Sequence, residues 1–285
     1  MSQAWVLLGA ALLGLILGSF GLVLVHRLPR MMERQWDREA RDWLTERDRA
    51  WVEPEAREHA PYNLARPGSH CPACGHRLPW YELIPLLSYL LLRGRCSACA
   101  QPIGWRSPVL ELAVAGLCAA CVWRWGLQVQ ALAWAGFGFV LLVLACIDWD
   151  TQLLPDSLTL PLIWAGLITT ALGWTGLDLQ TSLWGAVVGY LLLWAVHHIF
   201  LGVTGRQGMG EGDFKLLAAL GAWLGWPALT PLMLIASVGG LVLGLSLRAA
   251  GRLQPGEPLP FGPALALAGG VLMFWPERDR AWLWF

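Results

Sequence analysis

Charge is what this chain has least of: Asp, Glu, Lys and Arg make up 14% of its 285 residues, against about a quarter in an ordinary soluble domain. The 20 basic and 20 acidic residues balance, so no strongly basic surface is indicated and no nucleic acid partner is expected. A Gly-x-Gly-x-x-Gly run opening a helix is missing, which removes the usual cue for a nucleotide cofactor. His-Glu-x-x-His is missing too, and with it the helix-borne site of a zinc peptidase. The first apolar run, Ala4 to Val25, has no Arg or Lys before it and no small-residue cleavage site after it. It exceeds a signal h-region in length and reads as a retained helix.

What the chain does have is apolar length. Hydrophobic residues reach 56% and the mean hydropathy is +0.51, values of an integral membrane protein. Runs able to span, at about 20 residues each, are Ala4 to Val25, Gly126 to Ile147, Ser157 to Leu177 and Leu179 to Gly205. Pro258 to Trp275 is shorter, and Pro108 to Trp123 is interrupted by Glu111. Leu216 to Leu247 is too long for one span and is divided by Pro227 and Pro231 after Trp226. The reading is an all-α polytopic membrane protein of about eight transmembrane helices, the sixth short and starting near Asp213. The 19 Trp residues suit interfacial belts.

Orientation follows from the basic residues, because short cytoplasmic loops collect them. The polar segment from Arg27 to Arg106 holds 13 of the 20, which puts it inside and the N-terminus outside. Counting crossings, the third helix ends inside at Asp148 and the sixth begins inside at Asp213. Two acidic signatures, Asp148-Trp149-Asp150 running to Leu154-Pro155-Asp156 and Gly210-Glu211-Gly212-Asp213 followed by Lys215, therefore meet at one membrane face. The organisation predicted is a first helix over 1–26, a cytoplasmic segment over 27–106 and a helix bundle over 107–285.

The polar segment divides in two. Residues 30–57 alternate Arg with Asp and Glu around Trp36, Trp43, Leu44 and Trp51, a pattern for an amphipathic helix or pair of helices. Beyond Pro61 and Pro67 come Cys71-Pro-Ala-Cys74 and Cys96-Ser-Ala-Cys99, the spacing of a four-thiolate zinc insertion between the first and second membrane helices. Gly75 and Gly94 suit tight turns around it. Cytoplasmic thiols stay reduced, which favours Zn2+ over disulfides. Four thiolates leave no open position, so the zinc is structural. Cys118, Cys121 and Cys146 lie within apolar runs and act as small hydrophobes.

Carboxylates beside a bilayer core are costly, so two clusters at one depth point to chemistry. In an aspartic protease two carboxylates share one proton, the ionised one activating water and the protonated one polarising the peptide carbonyl. Glycines at 210 and 212 allow a tight turn and close approach to a substrate strand. Taken singly, Asp213 reads as a cap of the sixth helix; the second acidic cluster at the same depth, with Lys215 and Glu111, tips the balance to chemistry.

These residues resemble the type IV prepilin peptidases, the Gly-x-Gly-Asp membrane aspartic proteases. The resemblance runs through His26-Arg27-Leu28-Pro29, the cysteine pairs, Glu82-Leu-Ile-Pro85, Ser88-Tyr89-Leu90 and Arg93-Gly94. It continues through Asp148 to Asp156, Gly210 to Leu216 and Pro260-Phe261-Gly262-Pro263. The cysteine-bearing loop resembles that of the bifunctional members. The resemblance implies a multi-pass bacterial inner-membrane enzyme that, in contact with lipid and from the cytoplasmic side, cleaves type IV prepilin and type II pseudopilin precursors. Cleavage follows a Gly, usually before Phe, and the new N-terminal amine is then methylated with S-adenosylmethionine. It implies Asp148 and Asp213 as the catalytic pair, with Asp150 and Asp156 as rival first partners to Asp213. Gly210, Gly212, Lys215 and Glu111 are expected beside the pair, and Glu82 and Arg93 are the polar candidates for methyl-donor binding. The competing class is a transporter or channel with a zinc-stabilised docking module. Its mark would be inverted repeats, and none is visible in the hydropathy pattern.

Overall fold

The computed structural model describes residues 3–47, 62–206, 208–251 and 259–275. Trp51, Arg57, Pro61, Arg252 and Pro258 lie outside the described residues. Those described form helices α1 (Gln3–Arg47), α2 (Leu87–Leu91), α3 (Arg106–Trp125), α4 (Val129–Thr151), α5 (Asp156–Ala171), α6 (Leu179–Thr204), α7 (Glu211–Leu224), α8 (Leu229–Ala249) and α9 (Gly262–Phe274). Single 3-10 turns occupy Trp80–Leu83 and Trp226–Ala228. Apart from the five-residue α2, these are the eight helices read from hydropathy. The long apolar run is divided where expected, with α7 ending at Leu224 and α8 resuming after the Pro227 turn. Five of them, α1, α3, α4, α6 and α8 with its leading turn, are long and apolar enough to cross a membrane. Helices α5, α7 and α9, of 16, 14 and 13 residues, are shorter than a full span.

Helix α1 does not stop with its apolar run. It continues through Pro29 to Arg47 as one helix, so residues 30–47 extend the first span and are not a separate amphipathic element. The sequence between Pro29 and Arg47 is rich in helix formers, and exposed pairs such as Gln35 Nε2 to Glu39 Oε1 at 2.8 Å support the extension at i,i+4 spacing. Near its base the Arg34 guanidinium lies 4.1 Å from the Tyr62 ring centroid, a cation–π contact.

The chain packs as two compact units, residues 8–116 and residues 1–7 with 117–285. Within the smaller, α1 and α3 approach at glycines. A Cβ at Gly14 would lie 2.6 Å from Ala115 Cα, and one at Gly18 2.6 Å from Glu111 Cα. Small residues allow such backbone contact where lipid offers no hydrophobic drive.

The larger unit is built around α7, which is buried continuously from Leu216 to Leu224, as a helix apolar on every side must be. Gly185 and Gly189 of α6 face α7. The Gly185 backbone meets that of Gly221, and a Cβ at Gly189 would sit 2.7 Å from the Leu217 carbonyl oxygen. The Ser182 hydroxyl donates to the Ala222 carbonyl. On the α5 side the Trp223 indole N–H donates to Leu162 O at 2.9 Å. That indole stacks on Phe137 with centroids 4.7 Å apart, and Trp134, Trp125 and Phe274 extend the cluster. All these aromatics lie at the ends of α3, α7 and α9 or in the first half of α4, so they plug one end of the unit.

Substituting Gly221 by Ala should force α6 and α7 apart, and overpacking of this kind costs about 1–3 kcal/mol. The outcome to look for is earlier thermal unfolding in detergent. Gly202→Ala on α6, where a Cβ meets nothing within 4 Å, should leave the transition unchanged.

Candidate functional site

The end of the larger unit opposite the aromatic plug gathers the acidic signatures. Helix α4 closes with Gln152 in the left-handed conformation, its N–H bonded to Asp148 O at 2.8 Å. The chain then turns through Leu153 to Pro155 into Asp156, the first residue of α5. Helix α7 starts at Glu211, so Asp213 stands in its first turn. Asp148 and Asp213 are both buried, at 5% and 7% exposure, and the charge of Asp148 acts on Asp213. The Asp213 N–H in turn donates to the Gly210 carbonyl at 3.3 Å, where the chain enters α7. An acid in the first turn also suits the helix dipole, so a helix-start position and membership of the acidic pair coincide in one side chain.

Three contacts hold this pair. The Gly262 N–H, opening α9, donates to Asp148 Oδ2 at 2.9 Å. A Cβ at 262 would fall 2.7 Å from that same oxygen, so only glycine brings its amide this near. Gly212 packs on the Leu154 side chain, where a Cβ would be 2.7 Å from Leu154 Cβ. Lys215, the only lysine in the sequence, donates to both oxygens of Asp156 at 2.7 and 2.8 Å. That ion pair ties the start of α5 to the first turn of α7.

Each acid of the earlier signature therefore has its own surroundings. Asp148 is buried and paired electrostatically with Asp213; Asp156 is bound to Lys215 with a half-exposed side chain; Asp150 is exposed. The two glycines also differ from the tight turn read in the sequence. Gly210 is extended, at φ −79 and ψ 151, with open space where a side chain would go. Gly212 is needed for contact, not for conformation. Gly262 and Leu154 had no role assigned from sequence; the Pro-Phe-Gly-Pro run marking a helix entry was the available signal for the first. His197 packs its ring on Phe214 at 5.4 Å, and His198 Nδ1 bonds Trp194 O at 2.9 Å. Both are packing contacts within the larger unit.

In the smaller unit the thiols of Cys71, Cys74, Cys96 and Cys99 lie within 4.8 Å of one another, and no disulfide joins them. Ligands at about 2.3 Å from a tetrahedral centre stand about 3.8 Å apart, and Cys71 Sγ to Cys99 Sγ is 3.9 Å. The donor set fits a metal ion closed by four sulfurs. The two knuckles repeat each other. Gly75 N–H bonds Cys71 O and Cys71 N–H bonds His76 O; likewise Ala100 N–H bonds Cys96 O and Cys96 N–H bonds Gln101 O, all at 2.9–3.0 Å. The left-handed residue is Gly75 at φ 71 in the first and Ala100 at φ 56 in the second. Gly94, expected to turn around the metal, instead has φ 66 with the Tyr89 ring 3.0 Å from where its Cβ would be. Backbone N–H groups of Cys74 and Ala73 pull the Cys71 thiol down to about 7, and those of Cys99 and Ala98 lower Cys96, favouring the thiolate that binds metal.

Glu111, read from the sequence as a neighbour of the acidic pair, makes its contacts within this smaller unit: its Oε2 accepts the Leu86 N–H at 2.8 Å. Of the two donor-binding candidates, Glu82 has a buried side chain, whereas Arg93 is exposed and held at φ 51.

Residues 12–125 match the family described as bacterial peptidase A24 N-terminal domain, and residues 134–245 match the type IV leader peptidase family. A protein of Pseudomonas aeruginosa named prepilin leader peptidase/N-methyltransferase is 48% identical over 275 residues, 96% of this chain and 92% of the relative. Relatives of the same name from Burkholderia pseudomallei and Aeromonas hydrophila are 48% and 45% identical, over 93% and 95% of this chain and 84% and 91% of theirs. No solved structure matches the chain significantly.

The thiol geometry has a direct test. The purified protein should carry one metal equivalent by elemental analysis, and Cys71→Ser or Cys96→Ser should remove it. Ala100→Gly relieves a left-handed alanine and should slow metal loss to a chelator.

Proposed function

The chain belongs to the type IV leader peptidase family, and on that premise we propose that it cleaves the leader from type IV prepilins and pseudopilins and methylates the new N-terminus. Its apolar helices and its family fit a multi-pass protein of the inner membrane; the distribution of Arg in the sequence supports a site facing the cytoplasm. The observation that carries the protease reading is the burial of Asp148 and Asp213 together at one end of the helix unit, with the Gly262 N–H on Asp148. Asp150 and Asp156 fit less well, one exposed and the other engaged by Lys215.

Two buried carboxylates whose charges act on each other retain one proton between them, because both cannot be ionised in a desolvated site. The ionised one removes a proton from water as the water oxygen attacks the scissile carbonyl carbon. The protonated one gives its proton to the carbonyl oxygen. Collapse of the tetrahedral species then breaks the C–N bond, and the departing amine takes a proton back. With Oδ2 of Asp148 committed to the Gly262 amide, Oδ1 is the oxygen left for proton transfer. Gly262 is a positioning residue, and the Lys215–Asp156 pair keeps α5 and α7 in register around the dyad. The open space at Gly210 leaves room for the substrate strand, whose glycine precedes the cut and whose apolar helix stays in lipid.

Cys71, Cys74, Cys96 and Cys99 would hold Zn2+, which supplies cross-linking and not catalysis, since four sulfurs close its coordination. S-adenosylmethionine, when bound, would supply an electrophilic methyl group to the freed amine, which loses a proton as S-adenosylhomocysteine leaves. A transporter reading is not favoured by the family or by two acids gathered at one end of the helices.

Incubating purified protein with a precursor whose leader ends in Gly, with and without S-adenosylmethionine, separates leader loss from methyl addition by mass. Asp148→Asn and Asp213→Asn should each abolish leader loss, by about 1,000-fold or more for residues that act as one unit; normal cleavage by either would refute the assignment. Gly262→Ala should slow cleavage strongly without removing the metal.

A further inference from the structure

The smaller unit contains a cavity of about 310 Å³ beside the cysteine knuckles, at the lower end of the size range of small-molecule sites. Its polar wall is formed by Ser19, Glu82, Ser88, Tyr89, Ser107 and Glu111. Two of these are carboxylates withdrawn from solvent: Glu111 is 5% exposed and the Glu82 side chain 7%. Glu82 Oε2 has no hydrogen-bond partner among the described residues; it faces His76 Nε2 at 3.8 Å, an ion-pair separation beyond hydrogen-bonding reach. No Lys or Arg lines the cavity, and the lining His70 directs Nδ1 at the Gly68 carbonyl.

The wall is also built under strain. Leu86 is held at φ 57 and ψ −45, a conformation rare for a bulky residue, and its N–H is the group that Glu111 accepts. Strain of this kind persists where the surroundings over-determine it, and such places cluster at ligand sites. A buried carboxylate oxygen without a hydrogen bond is costly, and a bound cation lowers the cost. We infer that this cavity is the methyl-donor site, receiving the cationic sulfonium and amino end of S-adenosylmethionine against Glu82 and Glu111. The inference rests on the methyl-transfer reading above. It extends the sequence candidate Glu82 to a second carboxylate, and it leaves Arg93 outside.

The test is equilibrium binding to the full-length, metal-loaded protein in detergent, with S-adenosylmethionine and its neutral-sulfur product S-adenosylhomocysteine as probes. Glu82→Gln and Glu111→Gln should each weaken the sulfonium by about tenfold or more. The neutral-sulfur product, with one positive charge fewer, should lose less in at least one variant. Metal content reports the fold. Where a Gln variant loses its metal, Ser107→Leu, which fills the cavity without altering a charge, takes its place and should also weaken binding. Wild-type affinity in the folded variants, or equal weakening of both probes throughout, would overturn the assignment while wild-type methylation still stood. A wild-type protein that neither binds the donor nor methylates would remove the methyl-transfer reading itself, and the cavity assignment with it.

Discussion

Everything at the polar end of the larger unit depends on keeping Asp148 and Asp213 buried and adjacent. Two carboxylates so placed repel when both are charged and are expensive to desolvate, and nothing in the pair itself keeps them together. The fold holds them by backbone. Gly262 offers its amide to Asp148, and Gly212 lets the α4–α5 turn seat on α7. The one lysine of the chain is spent on Asp156, not on the pair. A cation beside the pair would favour two ionised carboxylates and remove the shared proton that the proposed cleavage requires.

Glycine serves the same purpose along the helices. In lipid no hydrophobic gain rewards helix association, so packing must come from close backbone approach and interhelical hydrogen bonds. Gly185 and Gly221 bring α6 against α7, Ser182 bonds across them, and Trp223 bonds to α5. Helix α7 is thereby held by α6 and α5 between Leu217 and Trp223. Asp213 sits in the first turn of the same 14-residue helix.

In the smaller unit the order comes from repetition. Two knuckles with the same hydrogen bonds present four thiols to one point, and the 25-residue offset from Cys71 to Cys96 in the sequence is what makes the pattern readable. The match is not complete at the level of single residues. Gly94 looked like the second turn glycine because it lies beside Cys96, yet the equivalent of Gly75 is Ala100, four residues beyond the cysteine as Gly75 is from Cys71. Reading from the cysteine forward in both copies would have found it.

Hydropathy summed over about 20 residues, cysteine spacing and the placement of acids at the ends of apolar runs are local properties. They were enough for the helix count, the division at Pro227, the four-thiol cluster and the two acidic signatures. Helix α1 ran past its apolar limit because hydropathy reports where lipid ends and not where helical hydrogen bonding ends. Other features needed close approach between distant segments: the Gly262 amide on Asp148, 114 residues away, the 59-residue reach of Lys215 to Asp156, Leu154 beneath Gly212, and the bond from Glu111 to Leu86. Spacing carries no record of such contacts, since each is set by how helices pack and how near two backbones can come. Residue types and their order name the groups able to act; three-dimensional packing selects which are buried, which are paired and which are left facing a cavity.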